Sequence, residues 1–484
     1  GCAYARAQTN TRADAARHVY ERDLAPSLSD SVPVTAGVDN NSAQHMVTFT
    51  VAFGVNGLLT ENPADPDAAF AWPNATDNEV TTIDDMRHAA WNGRGEFLSA
   101  KDPQELIDSL SASINAIQDR TGSASAVAFN TTSVTVDTFV YQARFDSGAW
   151  NGTLRAFEFD DNGVGSLVWD AADILDHTSY PWASRNIYTR REDTGRGIVF
   201  DFPPNYRSRV AGFADDGLMS NTQILDLLHA PFDNETLDPD EIADNQDYGE
   251  AAVRYLKGDY SNDGDNSASD GDLAYGFRDR NEHRLGDIVH SSPQYVGAPD
   301  EPYPNAIQGS DPNELYSKFV ADAGSRREMV YVGANDGMLH AFDARTGDEI
   351  FSYIPSDSFS YDDGGMHKLL EPNYIHQPYV DGSPVARDVF VNEWRTYLVG
   401  GMRAGGKSVY VLDVTYPSAY LTLNDTSAQK LVVNEFTHDD LGYTFSRPQI
   451  AKMNNGKWAA IFGNGYNADP NGDGTAKVFI LYLD

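Results

Sequence analysis

The sequence predicts a mainly β protein of propeller type, preceded by an α/β region. Three observations lead to that class. Four segments, NGTLRAFEFD (151–160), DGMLHAFDAR (336–345), GKSVYVLDVT (406–415) and TAKVFILYLD (475–484), alternate on a two-residue period. Each stands behind an apolar strand: FVYQARF, MVYVGA, TYLVGG and AAIFGNG. The chain also carries 40 Gly and 23 Pro with 11% aromatics, a composition that suits short strands joined by tight turns. Antiparallel pairs recurring around Gly-containing turns describe propeller blades.

At 484 residues more than one core is expected, because single cores stop growing near about 250–300 residues. The first 125 residues read as α/β. ADAARHVYERDLAPSL has helical spacing, and MVTFTVAFGV (46–55) is a buried strand. A second helix is expected after Asp102, an N-cap, with Pro103 at the first helical position and Glu105 closing a capping box. Leu106, Ile107, Leu110, Ile114 and Ile117 form its apolar face. The small-residue stretch TGSASA (121–126) marks a boundary, giving domains 1–125 and 126–484.

Between 160 and 270 the second domain carries insertions. IYTRREDTGRGIVFDF (187–202) reads as a further hairpin, and NTQILDLLHA and DPDEIADNQDYGEAAVRYLKGD read as helices. The final repeat ends the chain with no strand after it, so the propeller is expected to be incomplete here.

The net charge is −37, from 72 acidic and 35 basic residues, and Lys and Arg do not cluster. That argues against nucleic acid and anionic membrane surfaces as partners. No run of eighteen apolar residues occurs, so no membrane insertion is expected, and GCAYARAQTN lacks a signal-peptide core, so any export signal is expected upstream. Cys2 is the single cysteine, which rules out an intrachain disulfide or a Cys-based zinc site.

Two acidic loops have calcium spacing. DPNGDGT places Asp469, Asn471 and Asp473 at alternate positions, with Gly474 at the turn and Thr475 offering a carbonyl. Alternate residues of a tight turn converge on one point, which suits a hard cation taking six to eight oxygens. Lys477 falls at the ninth position and Ile480 at the twelfth, so this ligand set is incomplete. DYSNDGDNSASD (259–270) fits the longer pattern with Asp259, Ser261, Asp263, Asp265 and a terminal Asp270. Both also read as solvated Asn/Asp/Gly turns.

Catalytic patterns are missing from the sequence. The eleven histidines form no H-E-x-x-H, no Gly-x-Ser-x-Gly elbow exists, and GGMRAGGKS (400–408) lies between strands rather than ahead of a helix. His45, His88 and His290 are expected to be hydrogen-bonded structural residues, and Trp91 and Trp150 to pack in cores or between blades.

LGDIVHSSPQYVG (285–297), REMVYVGANDGMLHAFDARTGDEIFSYIPS (327–356), YLVGGMRAGGKSVYVLDVTYP (397–417) and WAAIFGNGYN (458–467) resemble the C-terminal propeller of the PilY/PilC type IV pilus proteins. QHMVTFTVAFGVNG (44–57) and IDDMRHAAWNGRGEFLSAKDPQEL (83–106) resemble the late part of the von Willebrand A-like region that precedes it. The resemblance implies a modified seven-bladed-type propeller and calcium as cofactor. It implies a non-enzymatic pilus biogenesis factor and adhesin at the pilus tip or outer cell surface. Pilins or minor pilins and a surface or host receptor would be its partners, and it would support assembly and oppose retraction. No Asp-x-Ser-x-Ser loop is present in the first 125 residues, so an intact von Willebrand cation site is not expected there. Two other classes share the pattern. A quinone-dependent dehydrogenase uses the strand, Asp-Gly turn, strand and Thr-Gly turn of 331–347, and a carbohydrate- or protein-binding propeller unrelated to pili uses the same blades.

Overall fold

The structure, a computed structural model, describes residues 12–24, 45–53, 57–59, 72–75, 79–100, 124–129, 138–160, 163–204, 217–228, 239–264, 275–360, 364–468 and 472–484, with isolated positions between them. The chain divides into two compact units, Gly1–Gly122 and Ser123–Asp484. No helix among the described residues is long and apolar enough to cross a membrane.

The first unit is α/β. Helix α1 (Arg12–Glu21) is followed by strand β1 (Thr48–Phe53), helix α2 (Glu79–Asn92) and strand β2 (Arg94–Ala100), with β1 and β2 parallel. A parallel pair needs a crossover, which α2 supplies. Ala13, Ala16 and Ala89 let the helices meet closely, while Ala52, Ala90 and Phe97 pack between α2 and the strands. Gly93 is required where the chain leaves α2, because a Cβ there would lie 2.6 Å from the Thr48 Cβ. The helix expected after Asp102 lies outside the described residues.

The second unit is built mainly from antiparallel strand pairs. Strands β3 (Ala124–Phe129), β4 (Thr138–Asp146), β5 (Asn151–Asp160) and β6 (Gly163–Asp170) form the first sheet, in chain order. The second contains β7 (Ile187–Arg190), β8 (Gly197–Val199), β9 (Gln294–Val296), β10 (Met329–Gly333), β11 (Leu339–Asp343) and β12 (Glu349–Ile354), in the spatial order 8-7-12-11-10-9. The third is β13 (Val385–Val391), β14 (Glu393–Gly401), β15 (Val409–Asp413) and β16 (Val432–Phe436), and the fourth is β17 (Gln449–Lys452), β18 (Trp458–Gly463) and β19 (Val478–Tyr482).

The 187–202 hairpin forms as expected, but it adds to an existing sheet instead of starting another. Its strand β7 runs parallel to β12, pairing Ile187 with Ser352 and Tyr188 with Tyr353. The insertions flanking it are helical: α3 (Ala171–Asp176), α4 (Asn221–Leu228) and α5 (Pro239–Leu256). Ile224, Leu227, Ala252 and Tyr255 cover Ile187, Ile198, Phe200 and Ile354 at one end of the second sheet. Helices α6 (Tyr316–Ala323) and α7 (Asp425–Leu431) complete the unit.

Successive sheets pack through both faces. On β10, Val330 and Val332 join Tyr141, Leu154 and Trp169 of the first sheet. Tyr331, between them, points the other way and joins Leu398, Tyr410 and Leu412 of the third. On β15 the alternation repeats, since Val409 and Val411 pack with Ile450, Trp458 and Phe462 of the fourth sheet. Side chains alternate across a strand, so a strand covered on both faces becomes a continuous apolar run such as MVYV or VYVL.

The segments leading into three sheets share a device not read from the sequence. Pro293, Pro384 and Pro448 stand immediately before β9, β13 and β17, preceded by HSS, DGS and FSR. Two residues before the proline, Ser291 Oγ accepts from Gly333 N at 2.9 Å and donates to the Gly382 carbonyl at 3.0 Å. Ser446 Oγ likewise accepts from Gly463 N at 3.1 Å. In the third sheet the position is Gly382, where a Cβ would lie 2.0 Å from the Gly401 oxygen. Each residue meets the glycine that ends the second strand of its sheet. Ser291→Ala therefore leaves a buried N–H and a buried carbonyl unpaired, and it is expected to lower unfolding free energy by about 1–3 kcal/mol. Denaturant titration checks this, with Ser292→Ala expected to change it by less than about 0.5 kcal/mol.

Candidate functional site

Of the residues expected at the first calcium loop, Asp473 and Thr475 are described, while Asp469 and Asn471 lie outside the described residues. Asp473 Oδ1 accepts from Thr475 N at 2.9 Å and Thr475 Oγ1 at 2.6 Å, so the carboxylate closes its own turn around Gly474, whose φ is +73°. Its Oδ2 accepts from Lys477 Nζ at 2.8 Å. Lys477 also pairs with Asp440, which in turn accepts from Asp473 N at 3.2 Å. One ammonium thus stands between an exposed carboxylate, Asp473, and a partly buried one, Asp440. Hydrogen bonds from Lys477 and Thr475 hold the Asp473 pKa well below the usual carboxylate range. The Thr475 carbonyl accepts from Asn464 Nδ2 at 3.0 Å. Asp440 was not legible as a member of this group, because it lies 33 residues upstream and follows no loop pattern.

In the second loop Asp259, Ser261 and Asp263 are described, and Asp265 and Asp270 lie outside the described residues. Asp259 Oδ1 accepts from Ser261 N at 3.1 Å, an Asx turn. Asp263 is buried, and both its oxygens receive Arg280, at 3.1 Å from Nε and 3.0 Å from Nη2. The same guanidinium donates to the Tyr255 and Asp259 carbonyls and lies 3.7 Å from the Tyr255 ring centroid. Burial raises the Asp263 pKa and Arg280 opposes the rise. Asp263 and Arg280 together clamp the start of this loop to the end of α5. Among the described residues, no group of three or more His, Cys, Asp or Glu side chains forms a metal cluster.

The hairpin at 331–347 has a charged interior. Asn335, Asp336 and Gly337 make the turn, with φ of +92° at Gly337, and Ala334 N donates to the Met338 carbonyl at 2.9 Å. His340, fully buried on β11, is held between two carboxylates: Nδ1 lies 2.8 Å from Glu349 Oε1 and Nε2 lies 3.0 Å from Asp336 Oδ2. Glu349 is bound in turn by Arg185 through Nε at 2.6 Å and Nη2 at 2.8 Å. Burial alone would lower the His340 pKa, but Asp336 and Glu349 raise it to about 9. For Glu349, Arg185 and His340 overcome burial and depress the carboxyl far below its ordinary range. The result is a buried Arg–Glu–His–Asp chain. Asp336 is legible in the sequence only as part of the Asp-Gly turn, and the signal for more is the His340 and Glu349 spacing within an apolar strand pair.

The three histidines singled out in the sequence, and Trp150, are bonded or stacked. His290 takes Asp381 through its backbone N at 3.1 Å and Nδ1 at 2.7 Å. His88 stacks on Trp72 at 4.2 Å, and Trp150 on His376 at 3.5 Å. His45 Nδ1 lies 2.6 Å from the Ala43 carbonyl.

Serially packed antiparallel sheets with buried charged turns define a propeller-type scaffold. Residues 285–484 match the PilY1 beta-propeller domain family. The chain is similar to the PilY1 proteins: it is 34% identical to the Type IV pilus biogenesis factor PilY1 of Pseudomonas aeruginosa strain PAK, over 96% of this chain and 40% of that protein. A Type IV pilus biogenesis factor PilY1 homolog of Xylella fastidiosa is 32% identical over 81% of this chain and 26% of its own length. The chain therefore spans about two fifths of the Pseudomonas relative and about a quarter of the Xylella one. The crystal structure of the Pseudomonas aeruginosa PilY1 C-terminal domain is 37% identical, covering 39% of this chain and 34% of that chain, with a TM-score of 0.29.

Two outcomes test the buried chain. Arg185→Met leaves Glu349 buried without its strongest partner and is expected to cost about 3–5 kcal/mol in denaturant unfolding. His340 binds its proton more tightly folded than unfolded, so its contribution is complete below about pH 6.5 and is lost as pH rises through about 9. Thermal melts across that window should show stability falling with pH, and His340→Gln should flatten the fall.

Proposed function

We propose that this chain acts in type IV pilus biogenesis as a non-catalytic scaffold at the cell surface. The observation that carries the reading is identity at the 34% level along 96% of the chain to a protein named for that role. Within the proposal the first 125 residues are the late part of a von Willebrand A-like region. Residues 126–484 are a propeller of the seven-bladed type, and pilins or minor pilins are the partners at the pilus tip. Its action would be to support assembly, oppose retraction and attach the pilus to surfaces. The quinone-enzyme reading loses support at the shared motif itself, since Asp336 is engaged by His340 and by the Gly286 N–H.

The test is genetic. Removing the coding segment for 285–484 should abolish surface pili, counted by electron microscopy, and disabling retraction as well should restore them. Unchanged piliation would refute the proposal.

Calcium belongs to the same proposal as a modulator. A divalent ion at 469–475 would take the place of the Lys477 ammonium between Asp440 and Asp473, exchanging one positive charge for two. Titration calorimetry should find calcium binding that Asp473→Ala weakens at least about tenfold and Lys477→Gln strengthens. Equal binding by all three proteins would remove the first loop from the proposal. At the second loop, Asp263→Ala also strips the buried partner from Arg280, so its calcium titration is read together with a melting curve.

A further inference from the structure

The three proline-bounded segments converge with the β14–β15 turn around a polar cavity of about 70 Å³. His290, Ser383, Arg403, Ser446 and Arg447 are among its walls. Its charge is opposite to that of the protein as a whole. The acid at its rim, Asp381, is already compensated: it accepts from His290 N and Nδ1 and from Arg403 Nη1 at 3.2 Å. Arg447 is exposed and makes no ion pair or hydrogen bond among the described residues. One uncompensated guanidinium in a chain of net charge −37 is an unusual feature to keep beside a cavity.

The cavity is also built to hold its shape. Arg403 sits at φ +56°, a left-handed conformation that strains a non-glycine residue. It is kept there by Thr444 Oγ1, which accepts from the backbone N–H groups of Met402 at 2.8 Å and Arg403 at 3.2 Å. Ser446 Oγ accepts from Gly463 N, which leaves its proton for an outside acceptor. Beside the opening lies an aromatic platform. Phe445 and Tyr466 stack with centroids 5.0 Å apart and planes 28° apart, and Tyr466 is 60% exposed. The Arg403 guanidinium lies 4.9 Å from the Phe445 centroid and so fixes that ring against the cavity mouth.

We propose that this corner binds an acidic sugar, a uronate, through its carboxylate. A cavity of about 70 Å³ accommodates a carboxylate group. The ring would then lie at the mouth, where the Phe445–Tyr466 platform offers an apolar face to its C–H groups. The carboxylate meets Arg447, whose planar fork matches two oxygens at once, and the Ser446 hydroxyl. The strongly negative remainder of the protein disfavours polyanions, which selects a singly charged ligand. The site stands whether or not the chain serves a pilus.

The test uses the whole chain and D-glucuronate, glucose and acetate as probes, followed by ligand-observed NMR titration. Glucuronate should bind saturably in the millimolar range, with glucose and acetate each weaker by about tenfold or more. Arg447→Ala should weaken glucuronate by about tenfold or more, and Phe445→Ala should weaken it severalfold without changing acetate. Both side chains are exposed, so melting temperatures should stay at the parent value. Equal binding of glucose and glucuronate, acetate binding as tight as glucuronate, an Arg447→Ala titration matching the parent, or no saturable binding would each overturn the proposal.

Discussion

The structure depends on burying each central sheet through both of its faces. The second sheet is the clearest case: Val330 and Val332 face one neighbour and Tyr331 the other, so each strand residue belongs to one of two interfaces. A one-residue slip of β10 would exchange the sets and disrupt both at once. Register in such a stack is therefore set twice. The glycines that end the second strands, with Ser291 or Ser446 bound to them or Gly382 packed on them, hold each sheet at a common height relative to the next.

The same constraint explains why charge enters the interior only in complete groups. Inside a sheet stack water cannot solvate a lone ion, and an unpaired buried charge costs several kcal/mol. Arg185, Glu349, His340 and Asp336 meet this by alternating in sign, each contacting the next. Asp263 with Arg280, and Asp381 with His290 and Arg403, follow the same rule nearer the surface. The Asp-Gly turn of residues 336–337, common to many propeller-like blades, has here become an anchor for a buried histidine.

Much of the fold was legible because two-residue periodicity and turn glycines are local signals. β10, β11, β15 and β18 fall within the strands read from MVYVGA, DGMLHAFDAR, GKSVYVLDVT and AAIFGNG. The 187–202 hairpin was also legible, but its membership of the second sheet was not, since the β7–β12 pairing joins residues about 165 positions apart and leaves no local trace. The candidate sites were less legible for the same reason. Asp473 stands out by spacing, whereas Asp440 reaches it only through the fold, and Arg280 could not be assigned to Asp263 from sequence. The cavity near Arg403 borders the GGMRAGGKS stretch, whose spacing in the sequence shows only that it is not a phosphate loop. Its partners come from three separate segments.

The fourth sheet leaves one face of its last strand open. Val478, Ile480 and Tyr482 of β19 are 71%, 47% and 43% exposed, so its outer face is largely uncovered. When each layer borrows stability from its neighbours, a layer with one covered face has roughly half the support of one with two. Protection of backbone amides against solvent exchange should then decline from β10 and β11 toward β19, a gradient along the stack rather than a uniform value. Opening that begins at β19 would loosen the Lys477 bridge and the Tyr466 platform before it reaches the His340 charge chain, so the surface sites would respond to local opening while the scaffold beneath them keeps its shape.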